Sequence, residues 1–287
     1  MHLNGIGLMK VMNAAILLYI LLVLSFTGCS RQGKSFVPSI PGYHTDTRQT
    51  IVLDKELLEI SGMYYLPDTR IAAINDEDGK IFLINSSTGD FTVTKFGRKR
   101  DYEDVVVVDS FYYVLESNGN IHRVPVAMAN TEEEFEFPRE KKIEFESLYY
   151  DPNLKQLVLV SKEQRETKKG IITYTFSPDS LQFSDDILYE IRRKEIHEHL
   201  KDNNAEFKSS AAAIHPVLNK LFLVASVGKA MLQCSLDGKI EGAWQLNPVQ
   251  FPQPEGLTFA PNGDMFISNE GADGKATILK FPYTPGK

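Results

Sequence analysis

The stretch FPQPEGLTFAPNGDMFISNEG, Phe251 to Gly271, sets a carboxylate, Glu255, before a glycine and an apolar run that belongs in a core. A charge at the entry to a buried strand needs a reason, and the chain repeats the arrangement. SGMYYLP starts at Ser61, EDVVVVD at Glu103, ESLYYDP at Glu146 and SAAAIHP at Ser210. The intervals between these anchors are 42, 43, 64 and 45 residues. Repeats of about forty residues built from short strands are the signature of a β-propeller, one four-stranded blade per repeat.

Each copy continues alike. After the anchor strand comes a turn (LPDTR, DPNLK, HPVLNK, APNGD), then a second apolar strand (IAAIN, FYYVLE, QLVLVS, LFLVAS, MFISN). A polar or glycine-containing turn follows, DEDGK, SNGN, VGKA or EGADGK, and then a third strand, IFLIN, IHRVP, MLQCS or TILKF. β-Branched and aromatic residues fill these segments, as strands require. The count is five blades, and a sixth would need residues that no further anchor supplies. TIVLDKELLEI, before the first anchor, can close the ring as a strand of the last blade and so remove an open sheet edge. The long third interval holds ILYEIRRKEIHEHLKDNN, Ile187 to Asn204, expected as a short helix inserted between the third and fourth repeats.

The repeat explains the charge. The innermost strand of each blade lines a central channel, so Ser61, Glu103, Glu146, Ser210 and Glu255 should ring one mouth of it. Carboxylates converging there repel unless they are protonated, paired with a base such as Lys162, or bound to a cation. Glu103, Glu146 and Glu255 are therefore candidate metal ligands, and a hard cation held by oxygen, Ca²⁺, suits them. Asn75, Asp76 and Asn269, on loops after second strands, are candidate polar neighbours. A one-residue slip would exchange Glu103 for Asp104 on the inward face.

The N-terminus carries a different message. Lys10 precedes the apolar run AAILLYILLVL (Ala14 to Leu24), and FTGC ends at Cys29. Residues 1–28 have the parts of a secretory signal, and the run is short for a membrane span. FTGC resembles the lipobox of bacterial lipoproteins, which implies cleavage before Cys29 and its lipidation. Residues 29–44, rich in Gly, Pro and Ser, read as a tether to a domain spanning 45–287. These features predict a monomer outside the cytoplasm, held at a bacterial envelope membrane through lipid. Met9 is a second candidate start.

EISGMYY with INDEDGKIF, DYEDVVVV, AIHPVLNKLFLVAS and QPEGLTFAPNGDMFISNEG together resemble the SdiA-regulated (YjiK-like) family of bacterial envelope β-propellers. The match spans about residues 45–284. It implies a propeller in the envelope with a calcium site, and it implies no reaction. Ala211 and Ala212 depart from the Ser-Gly-Leu pattern expected at the fourth anchor. The leading expectation is a module that binds a protein or small-molecule ligand. The alternative is a metal-dependent hydrolase, lactonase-like or phosphoesterase-like, using the same carboxylates. PEGL with NGDMFISNEG resembles lactonase-type propellers, in which a divalent ion polarises a carbonyl or activates water.

Other motifs carry less. A net charge of -7 excludes the basic face of a nucleic-acid binder. The short run Lys95, Arg98, Lys99, Arg100 is followed at once by acids and reads as a solvated loop. EIHEH, Glu195 to His199, has the wrong order for a zinc motif, and His197 and His199 lie on different helix faces. NDEDG lacks the later glutamate of an EF-hand. No P-loop and no G-x-S-x-G elbow is present. Cys234 lies in an alternating segment and reads as a small strand residue, while His122 and His215 read as structural.

Overall fold

A computed structural model describes residues 36–37, 39–127, 131–138, 143–162, 170–271 and 274–286. The leader and Cys29 lie outside these residues. Among them, no helix is long and apolar enough to cross a membrane.

Five antiparallel sheets are arranged as a five-bladed β-propeller. The innermost strands are Ile60–Tyr65, Tyr102–Val108, Phe145–Asp151, Lys208–His215 and Pro254–Phe259, for blades I to V in turn. Each begins one or two residues before an anchor read from the sequence. Blade V takes its outermost strand from Gln49–Val52, which pairs with Thr277–Phe281 in the register Ile51↔Ile278. That is the ring closure expected of TIVLDKELLEI.

The two-residue strand Phe36–Val37 adds a fifth strand to blade IV, with Phe36 opposite Leu246. Phe36, Ile40 and Tyr43, all within the stretch read as a tether, are each 2% exposed. Tyr43 donates its hydroxyl to the carbonyl of Gly263 at 2.6 Å. Three apolar side chains spaced among Pro, Gly and Ser have no strand or helix period, so composition alone hides their burial.

The core is divided among the junctions between blades. Phe222, Trp244, Phe251 and Phe281 fill the junction of blades IV and V, together with Phe36. Ile51, Met63, Phe82 and Phe266 join blade V to blade I. Three comparable clusters fill the remaining junctions. Because every cluster lies at or after Phe36 and residues 34–287 form one compact unit, this part carries the core of the described residues. One α-helix, α1 (Arg193–Leu200), is present among the described residues. Its Ile196 is buried against Tyr189, Ile191 and Phe207 at the junction of blades III and IV.

Candidate metal centre at the channel mouth

Every anchor residue sits at a β-bulge. In blade II, Tyr102 faces Glu116 and Asp104 faces Leu115, so Glu103 is the extra residue. Glu146 stands between Phe145↔Ser161 and Ser147↔Val160, and Glu255 between Pro254↔Asn269 and Gly256↔Ser268. Ser210 and the pair Ser61–Gly62 occupy the same place in blades IV and I. A bulge puts two residues against one, bends the strand and re-aims a side chain. Here it releases the anchors from strict alternation.

The cavity at this mouth, of about 170 Å³, is lined by Ser61, Glu103, Glu146 and Glu255. Asp76 also lines it, together with Glu59, Asp101, Glu270 and Lys162. Ser210 does not line it. Its hydroxyl donates to the carbonyl of Pro254 at 2.6 Å, as Ser61 donates to the carbonyl of Glu103 at 2.5 Å. The two serine anchors therefore tie each blade to the next, while the three glutamates face the cavity. Asn75 caps its own turn, accepting the N–H of Asp78, and Asn269 donates to the carbonyl of Gln250 at 3.3 Å. Neither asparagine is part of the cavity wall.

Glu59, Asp101 and Glu270 were not singled out as mouth residues from sequence, yet their positions follow a rule. Glu59 and Asp101 lie two residues before an anchor. Asp76, Lys162 and Glu270 each follow the last residue of a second strand, a place the repeat alignment marks in every blade.

The electrostatics follow from this crowding. Burial, reinforced by Glu146 and Asp101, pushes Glu103 up to about 10 from an ordinary 4.5. Burial likewise raises Glu255 to about 7 and Glu146 above its usual range, the latter opposed by Lys162. Glu270 rises to about 7, through burial and its neighbour Glu59. Asp76 rises to about 6 for the same kind of reason, and its Oδ1 is buried with no hydrogen-bond partner. Lys162 is the one cation in the described lining, and its ammonium donates to Glu146. Seven carboxylates against one ammonium form an oxygen-rich, acid-excess pocket.

One residue beyond Glu103, Asp104 lies deeper, outside the cavity lining, and is 5% exposed. It accepts the N–H of Leu148 in blade III at 2.8 Å and that of Val105 at 2.7 Å, and also that of Met63 in blade I. Asp104 thus pins three innermost strands beneath the mouth. The bulge allows Glu103 and Asp104 both to point inward, at different depths.

A second acidic cluster lies in blade II and was not expected from sequence. His122, fully buried, contacts Glu116 at 3.1 Å through Nε2 and Glu132 at 2.5 Å through Nδ1. Glu116, His122 and Glu134 have ligand atoms close enough to share an ion. Arg100 already occupies the gap, 2.9 Å from Glu116 and 2.6 Å from Glu134. A guanidinium is always charged and matches carboxylates geometrically, so this cluster is satisfied as an ion-pair network. Of the basic run, Arg100 belongs to this network and Lys99 lies 3.4 Å from Glu77.

The histidines of α1 meet backbone. His199 lies 2.8 Å from the carbonyl of Glu195, and His197 lies 3.0 Å from that of Ala205. None of residues 187–204 lines the mouth cavity, so the insertion does not cap it. Cys234 is buried in a strand, its thiol pushed up to about 12 by burial.

No protein-family model matches this sequence, and no curated protein matches it. Among solved structures, the fold is similar to a luciferin-regenerating enzyme, with a TM-score of 0.50 and 11% identity over 83% of this chain and 98% of that one. It is similar to a protein of unknown function from Bacteroides thetaiotaomicron, with a TM-score of 0.51 and 12% identity over 79% of this chain and 62% of the other. A streptogramin B lyase structure matches at TM-score 0.49 and 10% identity, over 85% and 100% of the two chains. At these identities the likeness to the first two concerns the fold alone and leaves the chemistry to the site itself.

Proposed function

We propose that this chain is a lipid-anchored propeller of a bacterial envelope, SdiA-regulated (YjiK-like) in kind, whose channel mouth binds Ca²⁺. Its role is that of a monomeric binding module for a protein or small-molecule ligand. The observation that carries the cation reading is the convergence of Glu103, Glu146 and Glu255 from three bulges into one small acidic cavity. The donor set suits a hard ion, being entirely oxygen apart from Lys162, and the buried Oδ1 of Asp76 lacks a partner. Glu103, Glu146 and Glu255 would hold the ion, with Asp76 and Glu270 beside them. Bound there, it would supply charge neutralisation. The hydrolase alternative asks for a fixed Asp or His base beside the ring; Asp76 and Asp101 line the cavity, and among the described residues the lining contains no histidine.

The envelope reading rests on FTGC at Cys29 and on chain reach. Six residues separate Cys29 from Phe36, so the seven steps between them span at most about 25 Å when fully extended. Phe36 pairs with Leu246 at the mouth end of blade IV, where the N–H of Leu246 meets the carbonyl of Lys229. Lipid at Cys29 would therefore keep the acidic mouth turned towards the membrane.

Thermal unfolding of residues 34–287 with EDTA and then with added Ca²⁺ tests the cation. At one hundred times its dissociation constant, a ligand stabilises by about 2.7 kcal/mol. Ca²⁺ is expected to raise the midpoint of the wild type, and to raise that of Glu255→Gln far less. Equal midpoints with EDTA and Ca²⁺ in the wild type would remove the cation from the account.

A further inference from the structure

We propose that the opposite end of the channel is a second, separate binding site, for a small uncharged molecule with a planar apolar body. The basin there has a volume of about 410 Å³, within the range of roughly 300–1,000 Å³ typical of small-molecule sites. It is formed by the C-terminal halves of the same five innermost strands, and a proline follows four of them at its rim: Pro67, Pro152, Pro216 and Pro261. The chemistry is the reverse of the mouth. No charged side chain belongs to the described lining, so a charged occupant would lose its hydration without a partner.

The basin owes its room to small residues after the fourth anchor, where Ala212 belongs to the departure noted in the sequence and Ala213 follows it. Two and three positions after the anchor, blade I carries Met63 and Tyr64, and blade III carries Leu148 and Tyr149. Blade IV carries Ala212 and Ala213 there, and both line the basin. The ring of large side chains is therefore open on one side, facing aromatic walls from blades I and III. A planar apolar body fits such a gap because aromatic pairs gain from offset or edge contacts beyond simple burial.

Polar handles are present as well. Tyr64 and Tyr150 line the basin, and neither hydroxyl has a hydrogen-bond partner among the described residues. Burial and the proximity of Tyr150 raise the Tyr64 phenol above its ordinary 10, which keeps it a donor at neutral pH. Thr258 is already engaged, accepting the N–H of Tyr65 across the junction of blades V and I at 2.9 Å. The fitting ligand therefore has an aromatic or otherwise flat body and one or two neutral oxygen or nitrogen acceptors.

The test uses residues 34–287 and the uncharged fluorescent probe N-phenyl-1-naphthylamine. Saturable one-to-one binding is expected, together with at least tenfold weaker binding to Ala213→Trp, which fills the gap. A sulfonated analogue of the probe should bind at least tenfold more weakly than the neutral one. Glu255→Gln and added Ca²⁺ should leave probe affinity unchanged, which separates this site from the mouth. Ala212→Phe serves as the second filling variant, with circular dichroism verifying the fold of each. Absence of saturable binding, or equal affinity in folded Ala213→Trp and Ala212→Phe, would overturn the proposal.

Discussion

Gly62 and Gly256 stand one position after a bulged anchor, and each is a glycine because a neighbouring innermost strand lies against it. A Cβ on Gly62 would fall 2.3 Å from the Cα of Asp104, and one on Gly256 would fall 2.6 Å from the carbonyl oxygen of Ser61. Backbone cannot give way as a flexible side chain can. Gly62→Ala is thus expected to destabilise by about 1–3 kcal/mol, as overpacking does. Urea unfolding read by circular dichroism checks it, and a neutral result would mean that the innermost strands are free to separate. The anchor glutamates make a prediction of another kind. Glu255 and Glu270 ionise near 4.5 in the unfolded chain but near 7 in the folded protein, and Glu103 higher still. Between these values the folded state holds protons that the unfolded state has released. The favourable contribution of Glu255 and Glu270 is complete below about pH 4.5 and is lost as pH rises through 7, and that of Glu103 goes on falling towards 10. The melting temperature of metal-free protein should fall between about pH 5 and pH 8, and Ca²⁺ should restore more of it at the upper end. A flat profile in EDTA would show that the mouth carboxylates are solvated rather than crowded.

At the scale of elements, the bulge decides what the mouth contains. The recurrence of the anchors located the five innermost strands, and TIVLDKELLEI foretold the closing strand of blade V. Strict alternation, however, puts Glu103 and Asp104 on opposite faces, and only an inserted residue lets one line the cavity while the other pins strands below. Sequence carries no separate mark for that insertion. The acids at the rim were harder to see for a related reason, since Glu59, Asp101 and Glu270 sit in turns where charge is ordinary. What gathers them is register, because the residue two before each anchor lies near the residue that ends the second strand. Asn75 and Asn269 were expected at the mouth and sit one residue short of it, where Asp76 and Glu270 follow. The strand Phe36–Val37 has no sequence period at all, and its stabilisation comes from aromatic packing with Phe251 and Phe281 at 5.6 and 5.1 Å. Phe36→Ala should cost about 3–5 kcal/mol, the range for a buried phenylalanine. Chemical denaturation provides the measurement, and a loss below about 1 kcal/mol would mean that this strand is an ornament on blade IV.

At the scale of the molecule, one ring of five strands presents acids at one end of its channel and aromatic, uncharged surface at the other. The proposed anchor gives these ends different neighbours. Val227 lies at the mouth end of blade IV and Val217 at the opposite end, and both are exposed. Fluorophores on cysteines placed at either position, in lipidated protein on vesicles, should show stronger energy transfer to a headgroup acceptor from position 227. Equal transfer would mean that the tether leaves the propeller free to tumble. The claim on which the functional reading turns is that the mouth carboxylates exchange protons for a cation. Calcium titration of metal-free residues 34–287 in weakly buffered solution near pH 7, with bound ion and released protons measured together, addresses it directly. The account predicts saturable uptake accompanied by proton release, with affinity at least tenfold lower in folded Glu103→Gln and Glu255→Gln. Absence of uptake, or uptake identical in all three proteins, would contradict it.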